Sequence, residues 1–502
     1  MRCLLGVAVG VFFFGLGLMP FGPRPGADAI AGDGAHASSP RQPLQWTACP
    51  DIPDMECSGL DVPVDPVRPD GRRFTLRLGR LAVLDPTQRK GVLLFIPGGP
   101  GAGITKIIGG DNGTAQHVDE FRRQWDVVSF DPRGIERSSP IRCSPDLVPP
   151  ATAPRDHPPT AAEFEAIAHA NAVFIASCLE ATGELMRYLS AMDTAADVEQ
   201  IRQALSPNDG LVAYGASHGS QYGQAYLERY GEHIKALVLD GVVDHSIDLP
   251  TFITRNTLAV QDAFERFGQW CNREGACALH GQNVGSVFDA VVTAAPATRM
   301  LVPQFLAVGR DPEFGWPTIA KMLAEVPAGN TSKVDELAGT SAAFMNMASD
   351  DPWLRAGKNA LIPGVLCADW GPQQDYAAFT AAAEALTRQA PRFAWRFWDA
   401  TPVAHGTAGV GDCVGWPFAA RNPPHRLNIG SHANVMVANS THDSQTPLVN
   451  ALSVWLQIPD ARLLIADVDG HQSLIHSRCA FEVVARFLDD PESAATTTLC
   501  PN

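Results

Sequence analysis

The chain has 502 residues, 45% of them hydrophobic, which is enough to bury a large core and to carry a domain with a substantial insertion. Its formal charge is −16, with 54 acidic against 38 basic residues. That balance argues against a nucleic-acid-binding surface and is read as a solubility feature rather than a partner signal.

Residues 1–37 read as an export signal rather than as part of the fold. Arg2 gives a positive start, Leu4 to Met19 is nearly all apolar, and Ala27-Asp28-Ala29 and Ala35-His36-Ala37 each fit an A-x-A cleavage site. The apolar run is short for a membrane span, so cleavage after Ala29 or Ala37 is expected, with no stable membrane association afterwards. Cys3 precedes the run, on the wrong side for a lipid-modified cysteine. Ten cysteines remain after removal. An even number in an exported chain predicts disulfides between neighbours in order, because such loops close at low entropic cost: Cys49–Cys57, Cys143–Cys178, Cys271–Cys277, Cys367–Cys413 and Cys479–Cys500. No C-x-x-C or H-E-x-x-H occurs, so neither a metal nor another cofactor is expected.

From residue 38 to about 58 the chain reads as irregular. Leu60, Val62 and Val64 then alternate, as do Phe74, Leu76 and Leu78, with a turn at Arg68-Pro69-Asp70-Gly71 between them, which predicts an antiparallel pair. Gly91–Ile96 is a continuous apolar run, the pattern of a strand buried on both faces. It leads into Pro97-Gly98-Gly99-Pro100-Gly101-Ala102-Gly103, where four glycines in seven residues leave backbone N–H groups uncovered. An oxyanion site needs such groups; the Lys-Ser/Thr of a phosphate-binding loop is missing. Trp125–Phe130 is the next strand, closed by the charged turn Asp131-Pro132-Arg133-Gly134, whose Asp131 and Arg133 read as a structural, salt-bridged turn. Helical spacing follows over 161–179 and 194–205, the latter with Asp193-Thr194 as N-cap.

Leu211 to Tyr214 is apolar, Gly215-Ala216-Ser217-His218-Gly219 follows, and Gln221–Tyr230 reads as a helix. Strand, sharp turn and helix in that order place Ser217 on an exposed elbow, the position of a nucleophile. Ile234–Val243 is another buried strand. Alternating strands and helices predict an α/β fold with a mostly parallel central sheet flanked by helices. Residues 38–244 would be the first part of this core. Helical segments over 245–425 would form an inserted cap that walls the cleft, and 426–502 the rest of the core. Strands return at Ala433–Asn439 and Ala461–Ala466, the last strand expected. Helices are expected over Thr446–Leu456 and Phe481–Leu488.

Acyl transfer by a serine needs a base, a carboxylate that orients it, and N–H donors for the developing oxyanion. His471, in the loop after the last predicted strand, is the candidate base; His476 lies further into a helix and His442 beside the acid. Asp443, in the loop after the strand at Ala433–Asn439, is the candidate acid. Asp240 is its rival, while Asp467 and Asp469 lie too close in sequence to His471. Gly99 and His218 are expected to supply the oxyanion amides.

Pro97-Gly98-Gly99-Pro100-Gly101, Asp131-Pro132-Arg133-Gly134, Gly215-Ala216-Ser217-His218-Gly219, Asp443 with Thr446-Pro447, Gly470-His471 and Cys413-Val414-Gly415-Trp416-Pro417 together resemble the secreted tripeptidyl aminopeptidase branch of the α/β-hydrolases, relatives of the prolyl iminopeptidases. The resemblance runs from about Cys49 to Cys500. It implies a serine exopeptidase that releases short peptides or proline from free N-termini, acting on a peptide or small-molecule acyl substrate. It also implies a helical cap whose acidic residues meet the substrate amine; Glu313 and Glu325 in the cap are candidates, as is Glu136 outside it. Three positions depart from the family pattern: His218, where an aromatic residue is usual, Ile96, where Asn is frequent, and Glu136, where Gly is. A secreted carboxylesterase or tailoring hydrolase with the same three residues is the alternative.

Overall fold

The computed structural model describes residues 44–50, 52–109, 115–149, 155–296, 298–344, 349–399 and 409–501. The expected export signal at 1–37, with its cleavage sites after Ala29 and Ala37, lies outside them. Among the described residues ten strands form one sheet: β1 (Thr47–Ala48), β2 (Glu56–Pro63), β3 (Arg73–Leu81), β4 (Gly91–Ile96), β5 (Trp125–Phe130), β6 (Leu211–Ala216), β7 (Ile234–Asp240), β8 (Val435–His442), β9 (Arg462–Asp469) and β10 (Thr497–Cys500). Their spatial order is β1-β2-β3-β5-β4-β6-β7-β8-β9-β10. β1, β2, β3 and β5 pair antiparallel; from β5 through β4 to β10 every pairing is parallel.

The period of two explains the layering. Leu94 and Ile96 of β4 join one buried cluster with Val128, Phe130, Leu237, Leu239 and Val437; Leu93 and Phe95 join another on the opposite face with Val127, Val212, Val238 and Ala438. Each such side chain contributes about 1.5–3 kcal/mol on leaving water. These central strands read as unbroken apolar runs because helices cover both faces. The sharing of neighbours in space by β4 and β6, rather than β4 and β7, sets the strand-order reversal beside which sites form in open α/β sheets.

Between β7 and β8 the described residues are helical, from Leu249–Arg273 through Pro352–Trp370 to Tyr376–Gln389 and Trp395–Trp398. They hold a cluster of their own around Phe264, Phe267, Phe288, Leu301, Trp316 and Phe393. No helix among the described residues is long and apolar enough to cross a membrane. Five disulfides join Cys49–Cys57, Cys143–Cys178, Cys271–Cys277, Cys367–Cys413 and Cys479–Cys500.

Four local expectations are corrected. The start of the chain is not wholly irregular, since β1 pairs with β2. β9 is not the last strand, because β10 adds to it in parallel. The helix expected to start at Asp193-Thr194 begins at Ala191: Ser190 is its N-cap, its hydroxyl accepting from the Asp193 N–H (3.3 Å), and the Asp193 carboxylate closes a capping box by accepting from the Ser190 N–H at 3.2 Å. Arg133 and Asp131 do not pair. The fully buried Arg133 guanidinium donates to both carboxylate oxygens of Asp197 (2.7 and 2.8 Å), a fork that suits a planar guanidinium. Asp131 instead accepts from the Ile104 and Arg137 amides, and burial pushes its carboxyl up to about 7.

Candidate active site

Ser217 stands between β6 and the helix His218–Tyr230 with φ 57° and ψ −129°, a left-handed conformation that a side chain adopts only under constraint. The constraint comes from packing. A Cβ on Gly215 would lie 2.6 Å from the Gly219 carbonyl oxygen, and one on Gly219 would collide with the carbonyl oxygens of Ile96 and Pro97. Glycine two residues to either side of the serine is therefore a steric requirement. The Ser217 N–H donates to Asp240 O (2.9 Å), and the Ser220 hydroxyl donates to Ser217 O (2.6 Å), fixing both ends of the turn.

The glycine loop after β4 lies against this elbow. A Cβ on Gly98 would be 2.6 Å from Ala216 O and 3.5 Å from the His218 nitrogen. Gly99 and His218 line one cavity with Ser217. His218 opens its helix, so its N–H has no acceptor within that helix. Its imidazole is buried, which pushes its pKa down to about 3, with His245 adding to the effect; the ring stays neutral.

Asp443 and His471 are joined. The imidazole Nδ1–H donates to Asp443 Oδ2 (2.8 Å) and Oδ1 (3.0 Å). The carboxylate also accepts the Gln445 and Thr446 amides at 2.8 Å each, the Thr446 hydroxyl at 3.1 Å and the Gln472 amide at 3.3 Å. Burial opposes its charge, but the imidazole and these donors win and hold the carboxyl below its ordinary range. Burial likewise opposes a charge on His471, yet Asp443 and Asp240 hold its pKa above the ordinary value.

The dyad reaches the elbow through two contacts. Gly241, next to the carbonyl that anchors Ser217, lies against the ring: a Cβ there would be 3.0 Å from His471 Cε1. Thr446, bonded to Asp443 and 3.2 Å from His471 Nδ1, lines the same cavity as Ser217. Among the described residues no hydrogen bond joins the Ser217 hydroxyl to the imidazole. Such bonds often tighten only around substrate.

The rival carboxylate, Asp240, is engaged elsewhere. It accepts the Tyr214 hydroxyl (2.8 Å) and the Ser473 and Leu474 amides (2.9 and 3.0 Å), so it anchors the chain just beyond His471. His442 faces Asp262, 3.5 Å away. His476 packs against Gly470. Of the three amine-binding candidates, Glu313 is exposed and Glu325 accepts from Asn330, and neither lines the cavity. Glu136 lines a second cavity of about 220 Å³ with Lys358, and Pro100 and Ile362 border both spaces.

The Ser217 cavity holds about 80 Å³ and is walled by Val243, Phe252, Ile253, Ile362 and Leu366, with Asn256, Gln445 and Arg396 as further polar walls. Sequence reasoning did not single out Arg396. Its signal was a lone cation inside Phe393-Ala394-Trp395-Arg396-Phe397-Trp398, where burial is the rule.

Two family models match: "alpha/beta hydrolase fold" over residues 91–290 and "TAP-like protein" over 402–500. The chain belongs to the α/β-hydrolase superfamily and is a serine hydrolase. It is similar to the serine protease Hip1 of Mycobacterium tuberculosis, 27% identical with 92% of each chain covered. It is also similar to the tripeptidyl aminopeptidase of Streptomyces lividans, 24% identical with 86% of this chain and 81% of that one covered. Carboxylesterase B of Mycobacterium tuberculosis is 26% identical, with 97% and 96% covered.

Proposed function

We propose that this protein is an exported serine exopeptidase that releases short peptides, or proline, from free N-termini through an acyl-enzyme. Ser217 attacks the scissile carbonyl. His471 takes the hydroxyl proton and returns it to the leaving amine, while Asp443 keeps the proton-bearing Nδ1 of the ring turned away from the serine. The Gly99 and His218 amides hold the developing oxyanion. Water then repeats the cycle on the ester. The observation that carries this reading is the buried Asp443–His471 pair, 2.8 Å apart, beside the strained Ser217 turn. Export is supported by the residues 1–37 pattern and by the five disulfides, which persist in oxidising compartments.

Purified mature protein, assayed on tripeptidyl and prolyl p-nitroanilides beside short p-nitrophenyl esters, tests it. Turnover of the anilides supports the exopeptidase; turnover of esters alone overturns it. Ser217→Ala is expected to lose nearly all activity, by about 10⁶-fold in kcat, with the fold intact by circular dichroism.

A second reading is a secreted carboxylesterase with the same three residues. The cavity at Ser217 favours it: its walls are largely apolar, and among the described residues no carboxylate that could meet a substrate amine lines it.

A further inference from the structure

Arg396 is 6% exposed, yet it lines the cavity that contains Ser217. Its Nε and Nη1 are buried and, among the described residues, make no hydrogen bond. No ion pair reaches it among the described residues, and burial alone shapes its charge state, pulling the guanidinium down to about 10. It therefore remains charged at neutral pH. Two other buried arginines show what such a group ordinarily requires: Arg133 has Asp197 as a bidentate partner and three backbone carbonyls besides, and Arg202 has Glu199 as a bidentate partner. A buried guanidinium with no counter-charge is unfavourable unless something supplies one. The remaining cavity wall agrees. Among the described residues it contains no carboxylate, and its other unpartnered polar atoms are Asn256 Oδ1 and the neutral His218 Nε2. The walls are otherwise apolar, so an anion entering there would be shielded from water, where its pairing with a guanidinium is strongest.

We propose that Arg396 is the substrate-binding group for a carboxylate, so that the enzyme prefers substrates carrying a carboxylate close to the scissile carbonyl. This rests on the reading that Ser217 performs acyl transfer. It specifies what the exopeptidase or esterase reading leaves open, the chemical class of substrate. The guanidinium fork takes the carboxylate in two parallel N–H···O bonds, and the reacting carbonyl is thereby carried onto the serine. The carboxylate can belong to the acyl group or to the leaving group.

Matched substrate pairs separate these sources. The first pair is the p-nitrophenyl half-ester of glutaric acid against p-nitrophenyl valerate, with the charge in the acyl group. The second is 4-(butyryloxy)benzoate against its methyl ester, with the charge in the leaving group. In the native enzyme, kcat/KM for the anionic member of one pair is expected to exceed that of its neutral partner by roughly 10-fold or more. Arg396→Met keeps an unbranched apolar stem and removes the guanidinium; it is expected to bring that ratio to about 1 or below while the neutral ester is still turned over. Glutarate is expected to raise the melting temperature of native protein and to leave that of Arg396→Met unchanged.

Labelling by a fluorophosphonate monitors Ser217 independently. If Ser217 labels and neutral esters turn over, but neither anionic ester is preferred or the preference survives in Arg396→Met, the carboxylate assignment falls and the hydrolase reading stands. If native protein neither labels nor turns over any ester, both fall.

Discussion

At the scale of single residues, with His471 as the proposed base, the charge on the Asp443 carboxylate is expected to set the working pH. A general base must be unprotonated to accept the serine proton. Burial alone would lower the His471 pKa, but Asp443, hydrogen-bonded at 2.8 Å, and the more distant Asp240 raise it above the ordinary 6.5. Activity is therefore lost as pH falls through this raised value, and the acid limb of the kcat/KM profile is expected above pH 6.5. Asp443→Asn removes the charge that favours the imidazolium and also ceases to hold Nδ1 as the donor. Its profile is expected to shift to lower pH, with kcat down by about 10³–10⁴-fold. A profile unmoved by that substitution would show that the imidazole does not titrate against Asp443 during turnover. Asp240→Asn removes the weaker charge together with one of the two oxygens that accept the Ser473 and Leu474 amides, and a smaller shift in the same direction is expected.

At the scale of elements, the loop that carries His471 is held from the helical region as well as from the sheet. The His471 N–H donates to Ala307 O at 2.7 Å. Asp469, two residues earlier, accepts from Arg266 Nε at 2.6 Å. Arg310 Nη2 lies 2.8 Å from its other oxygen as an ion pair without hydrogen-bond alignment. Arg266 belongs to the helix Leu249–Arg273, so the proposed base, His471, is positioned from the helical region as well as from the sheet. Asp469→Asn keeps the size and removes the charge. Because displacement of a catalytic group by about 1 Å can cost 10²-fold, this variant is expected to lose roughly 10-fold in kcat/KM and to label more slowly with a fluorophosphonate. An unchanged labelling rate would show that the sheet alone positions the loop.

None of that clamp was legible in the sequence, because it joins Arg266 to a residue 203 positions away and has no local period. The elbow was legible because a strand run, a small-residue turn and a helix run are contiguous in the chain. The dyad was legible in the same way, as two polar loops each following an apolar strand. β10 was missed because Thr497-Thr498-Leu499-Cys500 carries almost no apolar signal: only Cys500 is buried, and pairing with β9 completes an edge. The Arg133 turn was read as structural, but its partner, 64 residues on, could not be read from the turn itself.

At the scale of the whole molecule, the disulfides differ less in strength than in what they hold. Cys367 lies at the end of the helix Pro352–Trp370, whose Ile362 and Leu366 wall the cavity, and Cys413 follows the segment that carries Arg396; the bridge closes a loop of 46 residues. The Cys479–Cys500 bridge closes 21 residues and ties the edge strand β10 to the helix Arg478–Asp489, away from the cavity. Loop-closure entropy puts the two at about 4 and about 3 kcal/mol, so similar losses of stability are expected when both cysteines of either pair become alanine. Guanidinium unfolding monitors that similarity. Activity is expected to separate the two variants. Without Cys367–Cys413, one wall of the cavity is no longer tied to the other, and kcat/KM for folded protein is expected to fall by about 10-fold or more, since catalysis depends on wall positions held to a fraction of an ångström. Without Cys479–Cys500, folded protein is expected to keep its activity. If both variants lose activity in proportion to their loss of stability, the bridges act only on the unfolded chain, and the cavity does not depend on where they are placed.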